Sequence, residues 1–160
     1  MNDLILARSG EEKIRRLQAA MSAMLQFDEF QTKHHFANGL YARSVWRPAG
    51  VLTVGRKHRH AHFSFVVSGI VEIADGDTVT QYSAGQMFVT PAGMKRSVLA
   101  VTDAEFMTIH RLDPDTRDLE EIERQLVADD DIPSLFDIHN KLKDPALASP
   151  AERKVLEADT

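Results

Sequence analysis

The sequence contains no cysteine, which excludes disulfides, thiolate zinc sites and thiol nucleophiles together. Any metal must therefore sit on His, Asp, Glu or water. No apolar run approaches the ~20 residues a membrane helix needs. The opening Met1-Asn2-Asp3 has neither the basic region nor the long apolar stretch of a secretory signal. No membrane partner and a cytoplasmic location are the expectations. Positive charge is also scarce: 19 Lys and Arg stand against 24 Asp and Glu, a net charge of -5. A nucleic-acid face needs clustered cations to neutralise phosphate, so no nucleic-acid partner is expected. The one short basic cluster, Arg56 to Arg59, coincides with a run of histidines and can serve either an anionic ligand or the fold. A Gly-x-Ser-x-Gly elbow, a phosphate-binding Gly loop and a His-Glu-x-x-His helix are all missing.

What is present fits one domain, since a 160-residue chain can bury roughly two thirds of its unfolded surface in a single core. From Ser9, acidic residues in a first turn precede Ile14, Leu17, Met21, Met24 and Leu25 at spacings of three and four. That pattern predicts an amphipathic helix over 10–26 within an N-terminal segment 1–32. Between 33 and 112, short runs rich in Val, Ile, Phe and Thr alternate with Pro-Ala-Gly, Asp-Gly-Asp and Ser-Ala-Gly turns. Strands are expected near 41–46, 50–55, 60–67, 70–74, 78–82, 86–89, 96–101 and 105–110, enough for an antiparallel barrel. Asp75-Gly76-Asp77 reads as a hairpin turn rather than a calcium loop. In the C-terminal segment 113–160, Leu119, Ile122, Leu126 and Val127 predict a helix over 116–128. Pro133 is placed to open another through Leu135, Phe136, Ile138 and Leu142, and a loosely held tail follows Asp144. The fold class is mainly β, one antiparallel barrel with an N-terminal helix and C-terminal helices.

The chemistry concentrates between Gly55 and Gly69. On an extended strand, alternate side chains share a face, so His58, His60 and His62 would point one way. Imidazole suits zinc, iron, nickel and copper. Residues four apart on a strand are about 13 Å apart, so all three can ligate one ion only if the chain bends. The other reading is a row of histidines with no metal.

This stretch and the block Gly85-Gln86-Met87-Phe88-Val89-Thr90-Pro91-Ala92-Gly93 resemble the two motifs of the cupin superfamily. The second block fits its pattern of Gly, five residues, Pro, any residue, Gly. The resemblance implies a small double-stranded β-helix barrel. In typical cupins the first motif supplies two His and a Glu, and the second supplies a His three residues after its last Gly. Here that position is Arg96, and no Glu stands between His60 and Gly69. A guanidinium does not ligate metals, so the usual three-His, one-Glu site does not carry over whole.

A narrower set of blocks is similar to small cupin proteins encoded by phages and prophages. They are Phe36 to Arg43, Gly55 with His58 and His62, Pro91 to Arg96, Thr108-Ile109-His110, and Leu119 to Glu123. That resemblance covers about residues 34–127 and implies His58, His62 and His110 as metal ligands, with the host cytoplasm as location. His60 is favoured by this sequence alone, and periodicity does not choose whether His110 faces inward.

Two functions follow as expectations. One is a small metal-binding cupin with a divalent Zn, Fe, Ni, Mn or Cu ion on two or three of these histidines, water in the open positions and a small anionic ligand. If it is an enzyme, the resemblance implies dioxygenase, isomerase or lyase chemistry. The other is a non-catalytic module that sequesters a small molecule or a host protein. Arg96 either grips a carboxylate or phosphate with two bonds or forms a salt bridge with Glu72 or Glu105. Tyr41 and Ser64 are expected to shape the cavity, Met87 and Met107 to sit in the core, His34-His35 to be solvated, and His139 to contribute nothing chemical. The apolar stripe of the first helix points to a homodimer in which that helix, or an edge strand near Tyr41 to Trp46, crosses to the partner.

Overall fold

The computed structural model describes residues 2–130 and 132–149, and for residues 2–9 the backbone only. Helix α1 (Asn2–Ser22) precedes strands β1 (Gln31–Ala37), β2 (Leu40–Arg47), β3 (Leu52–Val54), β4 (His62–Ser68) and β5 (Ile70–Ala74). Then come β6 (Val79–Ser83), β7 (Met87–Thr90), β8 (Ser97–Ala100), β9 (Ala104–Arg111) and helix α2 (Leu119–Leu126). One antiparallel sheet runs β1-β2-β9-β4-β7 and a second β3-β8-β5-β6.

The sequence alternation decides what the sheets enclose. Along β9, Ala104, Phe106, Thr108 and His110 are buried while the residues between them are less so. Register places Val45 and Val66 opposite Phe106, Arg43 and Ser64 opposite Thr108, and Tyr41 opposite His110. Slipping any strand by one residue would turn this whole inward set outward. The interior is graded along these strands. Val66, Val71, Ile73, Val98, Ala100, Ala104 and Phe106 fill one end, whereas His62, Ser64, Thr90, Arg96, Thr108 and His110 are buried polar residues. Ile122 and Leu126 of α2 pack with Tyr41 and Leu112 in a separate apolar cluster.

Several expectations need correction. Helix α1 runs through Ser9 and stops at Ser22, where the Gln26 side-chain amide donates to Met21 O at 2.6 Å and Met24 O at 2.8 Å. Those bonds satisfy carbonyls that a helix end leaves open, and they place Met24 and Leu25 beyond the helix, exposed to solvent. Ile14 is buried, and ion pairs of Glu11 with Lys57 and of Arg15 with Asp130 tie α1 to its own chain. Strand β1 was not expected, because its alternation is hidden by polar residues; it is an edge strand with one solvated face. Since β2 is paired on both sides, by β1 and β9, Tyr41 to Trp46 is not an edge open to a partner strand.

Met87 is exposed and Met107 only partly buried, on the outer face of the sheet rather than in the core. Between Pro133 and Leu142 no helix forms. Asp137 Oδ1 accepts from the backbone of His139 and Lys141, and Asn140 takes a φ of 56°. Such local side-chain bonds compete with helix formation. The chain after Asp144 is held through residue 149: Gln26 N donates to Leu147 O and Ser149 N to Gln26 O, each at 2.8 Å. Residues 150–160 of the expected tail lie outside the described residues. Asp75-Gly76-Asp77 does form the β5–β6 turn, with Asp75 Oδ1 accepting from Asp77 N and Thr78 N. Among the described residues no helix is long and apolar enough to cross a membrane.

Candidate functional site

Strand β4 starts only at His62, so His58, His60 and His62 do not form a row on one strand. The chain before it leaves the sheet to pair with the end of α2. His58 bridges Val127, Ala128 N donates to Lys57 O at 2.9 Å, and Arg59 N donates to Leu126 O at 2.8 Å. On its other side His58 O accepts from Gly93 N at 2.8 Å. This bend folds His58 back over His62 and swings His60 out to solvent. His60 offers only its carbonyl, 3.3 Å from His62 Nδ1, and drops out as a candidate ligand.

His110 faces inward and completes a different trio. Ring centres are 4.5 Å apart for His58 and His62, 5.0 Å for His58 and His110, and 4.5 Å for His62 and His110. Burial drives all three below the ordinary imidazole value, with the neighbouring rings, Arg43 and Arg96 adding to the effect. His58 falls to about 3 and His110 to about 2. His62 falls to about 4, the carbonyl of His60 partly opposing its burial. At neutral pH the trio is uncharged, the form in which imidazole ligates a metal.

Imidazole nitrogens at about 2.0–2.1 Å from one ion place ring centres roughly 4.5–5.5 Å apart, which the trio matches. His62 Nε2 is buried with no hydrogen-bond partner. The ring orientations do not match: His58 and His110 stack at 19°, and His110 Nε2 bonds Thr108 Oγ1 at 2.9 Å. Among the described residues no group of three or more His, Asp or Glu is arranged as a metal site. The chemistry and spacing of the donors fit a first-row ion, and the rings would have to turn to receive it.

Beside the trio lies a cavity of about 180 Å3, bordered by His58, by Gln18 and Met21 of α1 and by Phe136. Its distinctive feature is cationic. Arg96 is 7% exposed and donates to Ser64 Oγ at 3.2 Å and Thr90 Oγ1 at 2.5 Å, while those two hydroxyls are 2.8 Å apart. Its guanidinium lies 5.4 Å from the Phe106 ring centre. The salt bridge with Glu72 or Glu105 does not exist; Glu105 pairs with Lys33 at 3.6 Å. Arg43 and Arg47 line the same cavity, Arg43 donating to Ile138 O at 3.2 Å and Arg47 to Thr53 Oγ1 at 3.0 Å. Burial lowers Arg47 and Arg96 to about 10 each, so both remain charged at neutral pH. Among the described residues no carboxylate pairs with any of the three.

The basic cluster Arg56 to Arg59 mainly serves the fold: Arg56 bonds Glu123 and Phe136 O, and Lys57 pairs with Glu11. Tyr41, expected in the cavity wall, does not border this cavity but lines a smaller one with His58 and His110, its ring centre 6.2 Å from that of His110. Its hydroxyl is 2.7 Å from His34 Nδ1, and burial raises it to about 12. His34 Nε2 is in turn 3.0 Å from His139 Nδ1. Thus His34 is tied to Tyr41 and His139 rather than free in solvent, whereas His35 is exposed.

Residues 46–110 match the family model described as the cupin domain. The barrel is a cupin domain. No curated protein matches the chain. Solved structures similar to it include KdgF from Halomonas sp., at 24% identity over 56% of this chain and 83% of that one, with a TM-score of 0.47. The EutQ protein of Clostridium difficile is 17% identical over 56% and 71% of the two chains, TM-score 0.46. The cupin domain of Schizosaccharomyces pombe Cnp3 is 19% identical over 63% and 74%, TM-score 0.46.

Arg43, Arg47 and Thr90 were not singled out from the sequence. A signal for the first two was present: Tyr41, Arg43, Val45 and Arg47 alternate on one face of β2. Two cations on the inward face of a barrel strand need a counter-charge or a ligand.

Proposed function

We propose that this cupin domain binds a small anion through Arg96, and that His58, His62 and His110 hold a divalent first-row ion beside it. The observation that carries the reading is Arg96 itself. Among the described residues this buried guanidinium, set among neutral hydroxyls and aromatic faces, meets no opposite charge to offset its desolvation, and an anionic ligand supplies it. Ser64 and Thr90 hold the guanidinium in place while leaving it donors for a two-point contact. An ion on the trio would polarise a ligand oxygen.

Two measurements test it. Tag-free protein grown with added metals should carry about one equivalent of Zn, Fe, Ni, Mn or Cu and lose it on joint replacement of His58 and His62 by Ala. Metal content below about a tenth of an equivalent would remove the ion from the proposal. For the anion, calorimetric titration with short-chain carboxylates and inorganic phosphate should detect binding to the wild type. Arg96→Lys should weaken it at least about tenfold, since an ammonium keeps the charge but not the planar fork. Equal affinity in the two proteins would show that Arg96 is not the anchor.

A further inference from the structure

We propose that the ligand of this pocket is a dianion, a short dicarboxylate with an apolar middle, and that Arg47 holds its second acidic group while Arg96 holds the first. This rests on the anion-binding reading above and goes beyond it by assigning the charge and size of the ligand. Arg47 is 6% exposed, yet of the five N–H donors of a guanidinium it places one on Thr53 Oγ1. Its Nε is buried without a partner. Arg47 comes from β2 in the five-stranded sheet, whereas Arg96 immediately precedes β8 in the other. They approach one cavity from opposite walls. Both guanidiniums lie beside the same ring, Arg47 at 6.0 Å and Arg96 at 5.4 Å from the centre of Phe106, so one short molecule spans them.

Arg43, four residues before Arg47 on the same face of β2, adds a third positive charge to this wall. Like charges gathered in a low-dielectric cavity repel one another, and two negative groups on a ligand relieve this more fully than one. Size sets the other limit. A cavity near 150 Å3 admits benzene, so the 180 Å3 here suits a molecule of roughly six to ten heavy atoms. Phe106 lies against both guanidiniums, and Phe30 and Val98 also border the cavity.

The test uses the full-length protein and calorimetric titration with succinate, glutarate and adipate, each beside its monomethyl ester. At least one diacid should bind about tenfold or more tightly than its monoester, a difference equal to one charge-assisted contact. Arg47→Gln should abolish that preference, whereas Arg96→Lys weakens both ligands. Equal binding of diacid and monoester by the wild type overturns the dianion, and retention of the preference in Arg47→Gln overturns the role of Arg47. If the glutamine variant fails to fold, Arg47→Lys answers the second point, and the wild-type comparison decides the first without any variant. Monoester binding that depends on Arg96 with no diacid preference leaves the anion pocket standing and removes the dianion. No binding by any of these acids or by phosphate removes both.

Discussion

Protein stripped of metal should lose its tertiary structure between about pH 4.5 and pH 3.5, followed by fluorescence of the sole tryptophan, Trp46. The reason is the histidine trio. An unfolded imidazole takes up a proton near pH 6.5, but the folded chain resists protonation down to about 3 at His58, about 4 at His62 and about 2 at His110. These folded values are depressed, so the stabilisation they confer is complete above pH 6.5. It declines as the pH falls below that point, and the decline ends only once the folded values have been passed. Each such group withdraws about 1.4 kcal/mol per pH unit, and three together about 4 kcal/mol. Against a total folding free energy of about 5–15 kcal/mol, a fall of two to three units suffices.

The carboxylates of Glu11 and Asp130, held below their usual range, remove further stability at lower pH. Glu11 is lowered chiefly by its hydrogen bond from Lys57, whereas for Asp130 burial opposes the shift and the bond from Lys95 leads the groups that lower it. His110→Gln removes one of the three proton acceptors and should shift the midpoint to lower pH with a shallower slope. An unchanged midpoint in that variant, or a wild type still folded at pH 3, would mean that burial does not hold the trio neutral. Added zinc should also lower the midpoint if the trio holds an ion, because ligation competes with protonation.

The same trio shows how far local patterns carry. Alternation along β4 and β9 was readable as strand, and the cupin motifs marked His58, His62 and His110 by resemblance. The face shared by His58, His60 and His62 was an extrapolation of a period of two into residues that are not a strand. What turns His58 inward is a contact with Val127, 69 positions further along, and no local spacing encodes such a partner. Strand β1 was missed for a related reason. An edge strand with one solvated face carries polar residues such as Lys33 and His35, and only its pairing with β2 reveals it. Arg47 was legible as an inward position of β2 but not as part of a site. Its meaning depends on Arg96 and Phe106, which other strands bring to it.

Replacing Gly76 by Ala should lift α1 from the barrel and unroof the cavity while the sheets stay intact. Gly76 sits in the β5–β6 turn at φ 98°, a backbone conformation that costs an L-residue about 1–2 kcal/mol. Space is the larger obstacle. A Cβ at this position would collide with the carbonyl oxygen of Gly10 and lie 2.6 Å from its Cα. Both obstructing groups are helix backbone, which has no rotamer through which to yield. Relief requires α1 to move away, exposing Ile14, whose burial contributes about 1.5–3 kcal/mol, and opening the ion pairs of Glu11 and Arg15. Gly85 supplies the control: its φ is 88°, yet no atom lies within 4 Å of the Cβ it would gain, so Gly85→Ala carries the backbone strain alone. By hydrogen exchange, amides of residues 11–22 should exchange at least about tenfold faster in Gly76→Ala than in Gly85→Ala, with β4 and β9 equally protected in both. Because Gln18 and Met21 of α1 border the cavity, diacid affinity should fall in the first variant and not in the second. Equal protection of α1 in the two variants would show that the helix is not seated on this turn.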